Sequence, residues 1–181
     1  MPSPVQSNWR IHVRDRNGVQ GIFFVETVVS NTMVALGGRF LTDGVPMHIA
    51  SNASVTVSDG GEVVVELDRG LGSAPDLKAK LTPCERPEFT GNWQECFDDF
   101  DSFLAYCVPQ DRAMSTQNWY HQSTRQEINL GIPLGSCQPL CGEVVSNSVK
   151  DLIGTVSSPV CFRVPKVSFS LEKVERGLYL R

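Results

Sequence analysis

A run of alternating apolar and polar residues and a second, largely apolar run open the chain. The first covers 9–15 and the second covers 21–29. Between them, Asn17-Gly18 is a strong signal for a two-residue turn. This pattern predicts a β-hairpin with Asn17-Gly18 at its tip.

The segment 30–40 is predicted to form a short apolar helix. Ser30 or Asn31 can cap its start, because either side chain accepts hydrogen bonds from the first backbone N–H groups. Gly37 and Gly38 are predicted to end the helix, since glycine readily adopts the left-handed conformation that closes a helix.

Most of the remaining chain alternates as strands do. A turn over 43–46 leads to a strand over 47–58, which pairs with 62–68 in a second hairpin, and the tail 159–177 alternates around Pro165. The other predicted segments are a long loop over 69–92, a helix over 92–108, a strand over 119–130 and a turn-rich stretch over 132–149. About seven or eight strands joined mostly by hairpins predict a mainly β (α+β) fold: an antiparallel sheet curled into a barrel, with two or three short helices.

Composition and charge narrow the functional classes. A chain of 181 residues with 41% hydrophobic and 20% charged residues is typical of a single globular domain over 1–181. The net charge of −4 does not match the basic surface of a nucleic-acid-binding protein. Because no apolar run is long enough to span a bilayer and the N-terminus lacks the apolar core of a signal peptide, we expect a cytoplasmic protein without membrane partners.

The six cysteines are predicted to be free thiols, since the chain can build a core without disulfides and lacks an export signal. Cys137 and Cys141 are the only close pair in the sequence, whereas a zinc site needs a second pair of ligands nearby. The histidines are dispersed along the chain at His12, His48 and His121. The sequence therefore predicts neither a metal site nor a cofactor.

The stretch 21–50 resembles the central segment of the acetoacetate-decarboxylase-like superfamily. A strand, a short helix, Gly37-Gly38-Arg39, the turn Gly44-Val45-Pro46 and a second strand follow one another in this order. In the decarboxylases, Gly-Gly-Arg is followed by Gly-aromatic-Pro and a pair of lysines. Here Met47 and His48 replace the lysine pair.

Within that superfamily the chain is most similar to an uncharacterised bacterial family, the 2071-type domain of unknown function. Its members share the strand–helix–strand centre, a later helix represented here by Phe103-Leu104 and Tyr106, and a closing strand near 160–171. The resemblance covers 9–175 and implies a barrel with an internal cavity. Members often carry extra strands before the equivalent of the first hairpin, so a homo-oligomer that covers this edge is one expectation.

The resemblance also indicates which chemistry is missing. The decarboxylases form a Schiff base on a lysine whose amine is neutral near neutral pH, an effect for which acetoacetate decarboxylase is a standard example. Neither Met47 nor His48 can form this imine. We therefore expect the cavity, with Met47 or His48 at its mouth, to act without Schiff-base catalysis.

His48 is the first catalytic candidate, because histidine titrates near neutral pH and serves as a general acid or base. It would need a polar partner, and Glu26, Glu127 or Arg39 could supply one. Alternatively, His48 is a half-buried structural residue whose ring forms hydrogen bonds with the backbone. Glu127 is the second catalytic candidate.

Four further residues are candidates for ligand binding. Arg39 could bind a carboxylate through two parallel hydrogen bonds, or could simply contact the last carbonyls of its helix. One of Gln126 and Glu127 must face inward if the sheet curls, because successive strand residues point to opposite faces. The ligand-binding candidates are Arg39, Met47, Glu26 and Gln126.

Three functions remain open. In the first, the barrel binds a small carboxylate or keto compound without covalent catalysis. In the second, it is a non-Schiff-base enzyme, a lyase or hydrolase acting on a small keto acid through His48 and Arg39. In the third, it is a structural, dimerising subunit. A contact between His48 and a carboxylate would favour the enzyme over the simple binding protein.

Overall fold

The computed structural model describes residues 4–14, 16–41, 47–70, 75–109, 111–117, 122–154, 158–165, 167 and 169–178. The strands of these ranges are β1 (Gln6–Arg14), β2 (Gln20–Val29), β3 (Met47–Ile49), β4 (Asn52–Val57), β5 (Val63–Asp68), β6 (Leu77–Pro83), β7 (Arg112–Gln117), β8 (Gln122–Leu130), β9 (Gln138–Val145), β10 (Cys161–Arg163) and β11 (Phe169–Leu178). The helices are α1 (Thr32–Leu41), α2 (Asn92–Cys96), α3 (Phe100–Cys107) and α4 (Asn147–Ile153), with a single 3-10 turn at Leu134–Ser136. The predicted mainly β fold with a few short helices is confirmed, although strands and helices are more numerous than predicted.

The chain divides into two compact units, of which the first comprises 1–50, 109–131 and 168–181. Its sheet has the order β1-β2-β7-β8-β11, and β3 pairs with the end of β2. All pairs are antiparallel except β2–β3 and β2–β7, which are parallel. Ile22, Ala113 and Ile128 form its buried apolar cluster. This unit carries all the candidate site residues.

The second unit comprises 51–108 and 132–167. Its sheet is antiparallel throughout and has the order β10-β9-β6-β5-β4. A compact aromatic cluster surrounds α2 and α3, with ring centroids 5.4 Å apart for Phe97 and Phe103 and 5.7 Å apart for Trp93 and Phe103. Burial of these large rings anchors both helices.

The two predicted hairpins are confirmed. β1 pairs with β2 around the Asn17-Gly18 turn, and β4 pairs with β5. The single strand predicted over 47–58 is wrong, because the chain changes sheets at Ala50 and Ser51. The Ala50 N–H donates to the carbonyl of Val29, whereas the Ser51 N–H donates to the carbonyl of Asp68.

The long loop predicted over 69–92 is wrong, since it contains β6. In this strand Ala79 and Leu81 are buried while Lys78 and Lys80 are exposed, which is the period of a half-buried strand. The turn-rich stretch likewise contains β9 and α4. The predicted strand 119–130 corresponds to β8, whose partner β7 was not predicted, and the predicted tail strand is two strands, β10 and β11, with Pro165 between them.

The helix predictions need two corrections. The helix predicted over 92–108 is two helices, because Asp99 caps a new start: its carboxylate accepts a hydrogen bond from the Ser102 N–H at 2.8 Å. The start of α1 is as predicted, with the Asn31 side chain accepting from the Met33 N–H at 2.8 Å. Its predicted end is wrong, since Gly37 and Gly38 lie inside the helix. Glycine weakens a helix by about 1 kcal/mol relative to alanine, but it does not have to end one.

The start of α4 is held by a residue far away in sequence. The Asp76 carboxylate accepts hydrogen bonds from the Ser148 N–H at 2.8 Å and the Asn147 N–H at 3.1 Å, and also from the Ser148 hydroxyl. Partial burial opposes ionisation, but the hydrogen bonds from Ser148 and Asn147 outweigh it and lower the pKa of Asp76 to about 2. Asp76 thus links the start of β6 to α4 in the second unit.

The prediction of six free thiols is wrong for Cys84 and Cys141, which form a disulfide with their Cα atoms 5.8 Å apart. The β6–β9 pairing explains this proximity, because it sets Pro83 opposite Leu140, the neighbours of the two cysteines. The remaining cysteines are free thiols: Cys96, Cys107, Cys137 and Cys161.

Candidate functional site

The short strand β3 brings His48 to the end of β2. The two strands are parallel, and Val28 lies opposite His48. Glu26 lies two residues before Val28 on β2, so its side chain is on the same face as that of Val28. The His48 Nε2 and Glu26 Oε1 atoms are 3.1 Å apart, which is hydrogen-bond distance. Of the three polar partners considered for His48 from the sequence, the structure places Glu26 beside it.

The pair is partly sheltered from water. The Glu26 side chain is 16% exposed and that of His48 is 34% exposed. Burial raises the pKa of Glu26 above its ordinary value, and the nearby His48 offsets part of that rise. The site therefore holds a carboxyl group that gives up its proton less readily than one in water, next to a base that a small molecule can reach.

The contact also determines which imidazole nitrogen is available. Nε2 is at hydrogen-bond distance from the Glu26 carboxylate, so a neutral ring that donates through Nε2–H keeps its proton there and has Nδ1 as its basic atom. A carboxylate that orients a histidine in this way also stabilises the imidazolium that forms when Nδ1 takes up a proton. This arrangement is suited to general acid–base chemistry.

The other candidates lie in different places. Met47 is half-buried and lies opposite Thr27, and because it is adjacent to His48 in the strand it points to the other face. Arg39 belongs to α1, which packs on β2 and β3, but its side chain is outside the part that the structure describes, as is the predicted turn 43–46.

On β8, Gln126 is buried and Glu127 is exposed, which resolves the expectation that one of them faces inward. Gln126 lies opposite Ala113, while Glu127 lies opposite Arg112. Among the described residues, Glu26 is the only one that makes an ion pair with His48. A role for either residue of β8 in ligand binding or catalysis stays a prediction.

A shallow surface depression with a volume of about 20 Å³ occurs elsewhere in the same unit, near the hairpin tip of β1 and β2. Two arginine side chains line it together with apolar groups, and neither Glu26 nor His48 does. Its lining residues are Val13, Val19, Gln20, Gly21, Arg112, Met114 and Arg125.

No group of three or more His, Cys, Asp or Glu side chains that could hold a metal ion occurs within the described ranges. In the same ranges, no helix is long and apolar enough to cross a membrane.

Trp9 is a residue of the site that sequence reasoning missed. It lies on β1 directly opposite Glu26, next to an irregularity in the β1–β2 register. Its indole Nε1 is buried and has no hydrogen-bond partner among the described residues. The alternation of β1 could have placed Trp9 on one face of the hairpin, but not opposite a particular residue, because the extra residue on β2 changes the register.

The raised pKa of Glu26 leads to a prediction about the free energy of unfolding. Because the pKa of Glu26 is raised in the fold, its contribution to stability is present below the ordinary pKa of 4.5 and is lost as the pH rises through the folded value. We therefore expect Glu26→Gln to raise the free energy of unfolding at pH 7 by about 0.5–1 kcal/mol. The gain should vanish below about pH 4. Urea unfolding at both pH values measures it, and a Glu26→Gln variant that is less stable at pH 7 would contradict it.

Comparison with known proteins identifies the fold of the chain. The crystal structure of acetoacetate decarboxylase from Legionella pneumophila is similar with a TM-score of 0.50 and 14% sequence identity, over 97% of this chain and 64% of that chain. This similarity shows an acetoacetate-decarboxylase-like fold, as the sequence predicted. The chain corresponds to 64% of the length of that decarboxylase chain. No protein-family model matches the sequence, and no curated protein matches it.

Proposed function

We propose that this protein binds a small keto acid or carboxylate beside the Glu26–His48 pair and acts on it without a Schiff-base lysine. The observation that carries the proposal is the 3.1 Å contact between His48 Nε2 and Glu26 Oε1 in a partly buried site. The ligand class is supported by the similar structure, an enzyme named for acetoacetate, a small keto acid. Arg39 on the adjacent helix α1 is proposed to bind the ligand carboxylate.

The three lysines whose side chains the structure describes support the part of the proposal that excludes a Schiff base. Lys78, Lys80 and Lys150 are exposed, and the Lys80 ammonium lies 3.5 Å from the Glu62 carboxylate. A Schiff-base lysine needs a desolvated or otherwise activated amine, and an exposed position does not provide that environment.

The same contact favours an enzyme over a binding protein. In the proposed step, His48 Nδ1 removes a proton from the carbon next to the ligand carbonyl. The C–H electron pair becomes the new C=C bond, and the carbonyl π electrons move to oxygen, which gives an enolate. The Glu26 carboxylate stabilises the imidazolium that results. Return of the proton to the opposite face of that carbon would complete an isomerisation. In a lyase reaction, the enolate electrons would instead form a new C=C bond to the neighbouring carbon, from which a leaving group departs with its bonding pair.

The binding proposal is tested by isothermal titration calorimetry with pyruvate, acetoacetate and acetate. Wild type is expected to bind at least one of them, and His48→Ala and Glu26→Gln to bind it about tenfold or more weakly, because the ligand loses either the imidazole itself or the carboxylate that orients it. Glu62→Gln is the matched control, since it removes a carboxylate from an exposed ion pair in the other unit. Equal affinities in all four proteins would contradict the proposed site.

A second measurement tests whether any lysine forms a Schiff base with the keto acid. Treatment with sodium borohydride in the presence of the bound keto acid should leave the protein mass unchanged, because there is no imine to reduce. A mass increase equal to the reduced adduct would show that a lysine forms a Schiff base after all.

Three finer expectations are part of the proposal. The order of the elements supports a divergent relative of the bacterial 2071-type family within the acetoacetate-decarboxylase-like fold. The cytoplasm stays the proposed location, and a homo-oligomer stays an expectation. Sedimentation of the purified protein would test the oligomeric state. If the protein is an oligomer and its His48→Ala variant still assembles but binds no ligand, that result would favour a dimerising subunit that also has a ligand-binding site.

A further inference from the structure

We propose that Trp9 is a positioning residue of the site, whose indole N–H donates a hydrogen bond to the Glu26 carboxylate when that carboxylate carries its full negative charge. The geometry is independent of the ligand, although the catalytic use of this contact rests on the proposed function. Trp9 does not touch the substrate in this proposal and acts through Glu26.

The first support is the cost of an unpaired donor. The Trp9 Nε1 atom is buried and has no partner among the residues that the structure describes. Leaving a buried donor unpaired costs about 1–3 kcal/mol, so such a group in a folded protein calls for an explanation. By contrast, the indole of the half-buried Trp93 donates to the Ser158 carbonyl at 3.1 Å. A buried indole usually finds such a partner as well.

The second support is the position of the nearest suitable acceptor. Trp9 and Glu26 are opposite each other on antiparallel strands, so their side chains lie on the same face. A β-bulge begins next to this pair, where Arg10 is paired with Phe24 and Trp9 with Glu26, which leaves Val25 as the extra residue. Bulges often re-aim side chains next to functional sites.

The third support is the capacity of the carboxylate. Glu26 Oε1 accepts from His48, and an ionised carboxylate can accept about four hydrogen bonds in all. When His48 takes up a proton, Glu26 must stay ionised beside it in a partly buried site. A second donor directly opposite would stabilise that charge, which gives the unpaired indole a use whenever Glu26 is ionised.

The charged groups near Glu26 are few. Within the described part of the chain, His48 on β3 is the charged group that affects the pKa of Glu26. On β1, Arg10 and His12 are paired with Phe24 and Ile22, farther along β2. A titration seen at Trp9 can therefore be assigned to Glu26 or His48 by removing each in turn.

The test uses the indole N–H signals of the ¹⁵N-labelled protein from about pH 4 to pH 8. The chain has three tryptophans, and Trp9→Phe and Trp93→Phe variants identify which of the three indole signals belong to Trp9 and Trp93. We expect the Trp9 signal to move with pH in wild type and in His48→Gln, and to stay fixed in Glu26→Gln. The Trp93 signal, whose hydrogen bond goes to a backbone carbonyl, should stay fixed in all of them.

A Trp9 signal that does not move with pH, or that still moves in Glu26→Gln, overturns the proposal. The functional readout is the pH profile of substrate turnover. Since a donor to a carboxylate lowers its pKa, Trp9→Phe should shift the acidic limb of the profile to higher pH and slow turnover there about tenfold, whereas Trp93→Phe should not shift it. If the Trp9 signal follows Glu26 but wild type binds no keto acid, the positioning contact stands and the proposed function fails.

Discussion

Replacing both Cys84 and Cys141 with serine is expected to lower the free energy of unfolding by about 4 kcal/mol. The disulfide closes a loop of 57 residues between the end of β6 and the middle of β9. That loop contains α2, α3, β7 and β8, so the crosslink removes many conformations from the unfolded chain. Its Cα separation of 5.8 Å is ordinary for a disulfide.

Urea unfolding with and without dithiothreitol measures this effect. Wild type should lose about 4 kcal/mol on reduction, and the double variant should behave like reduced wild type in both conditions. Cys96→Ser is the matched control, because Cys96 is an exposed free thiol. A wild-type midpoint that does not change on reduction would show that the two thiols are not joined in solution.

The disulfide also bears on the location of the protein. The cytoplasmic prediction rested partly on free thiols, and a disulfide between Cys84 and Cys141 persists most easily in an oxidising compartment. Counting thiols in freshly denatured protein from the native host separates the cases. Six thiols indicate a reducing compartment, and four indicate that the bond forms in the cell.

The sequence predicted the elements whose signals are local. The β1–β2 hairpin followed from the Asn17-Gly18 turn between an alternating run and a largely apolar run, and the start of α1 followed from Asn31. The end of α1 could not be predicted in the same way, because Gly37 and Gly38 raise the free energy of the helix only slightly. The packing of α1 against β2 and β3 can offset that cost.

Other errors came from short elements and from distant pairing. β3 has three residues, too few to show alternation, so the sequence could name Glu26 only as one of three partners for His48. The Cys84–Cys141 bond depends on the β6–β9 register, and β6 itself was missed in a stretch rich in charge. The unpaired Trp9 indole reflects the surrounding tertiary packing, which no local pattern encodes.

His48→Gln is expected to abolish most of the proposed chemistry while leaving the fold intact. The glutamine amide can keep the donor to Glu26 that Nε2–H supplies, but it has no counterpart to the basic Nδ1. Loss of a general base slows a reaction by about 100- to 10,000-fold. Because the fold should survive, the loss can be assigned to the missing base.

Exchange of the methyl protons of pyruvate for deuterium, followed by proton NMR, measures this step directly, since exchange requires the enolate. Wild type and the Glu62→Gln control should catalyse exchange, and His48→Gln should exchange about 100-fold more slowly or worse. Titration of pyruvate into His48→Gln then separates the two functions. If binding is retained and exchange is lost, His48 is the base of an enzyme. If wild type binds pyruvate but does not accelerate its exchange, the protein is a binding protein, and the Glu26–His48 contact serves recognition of the ligand charge.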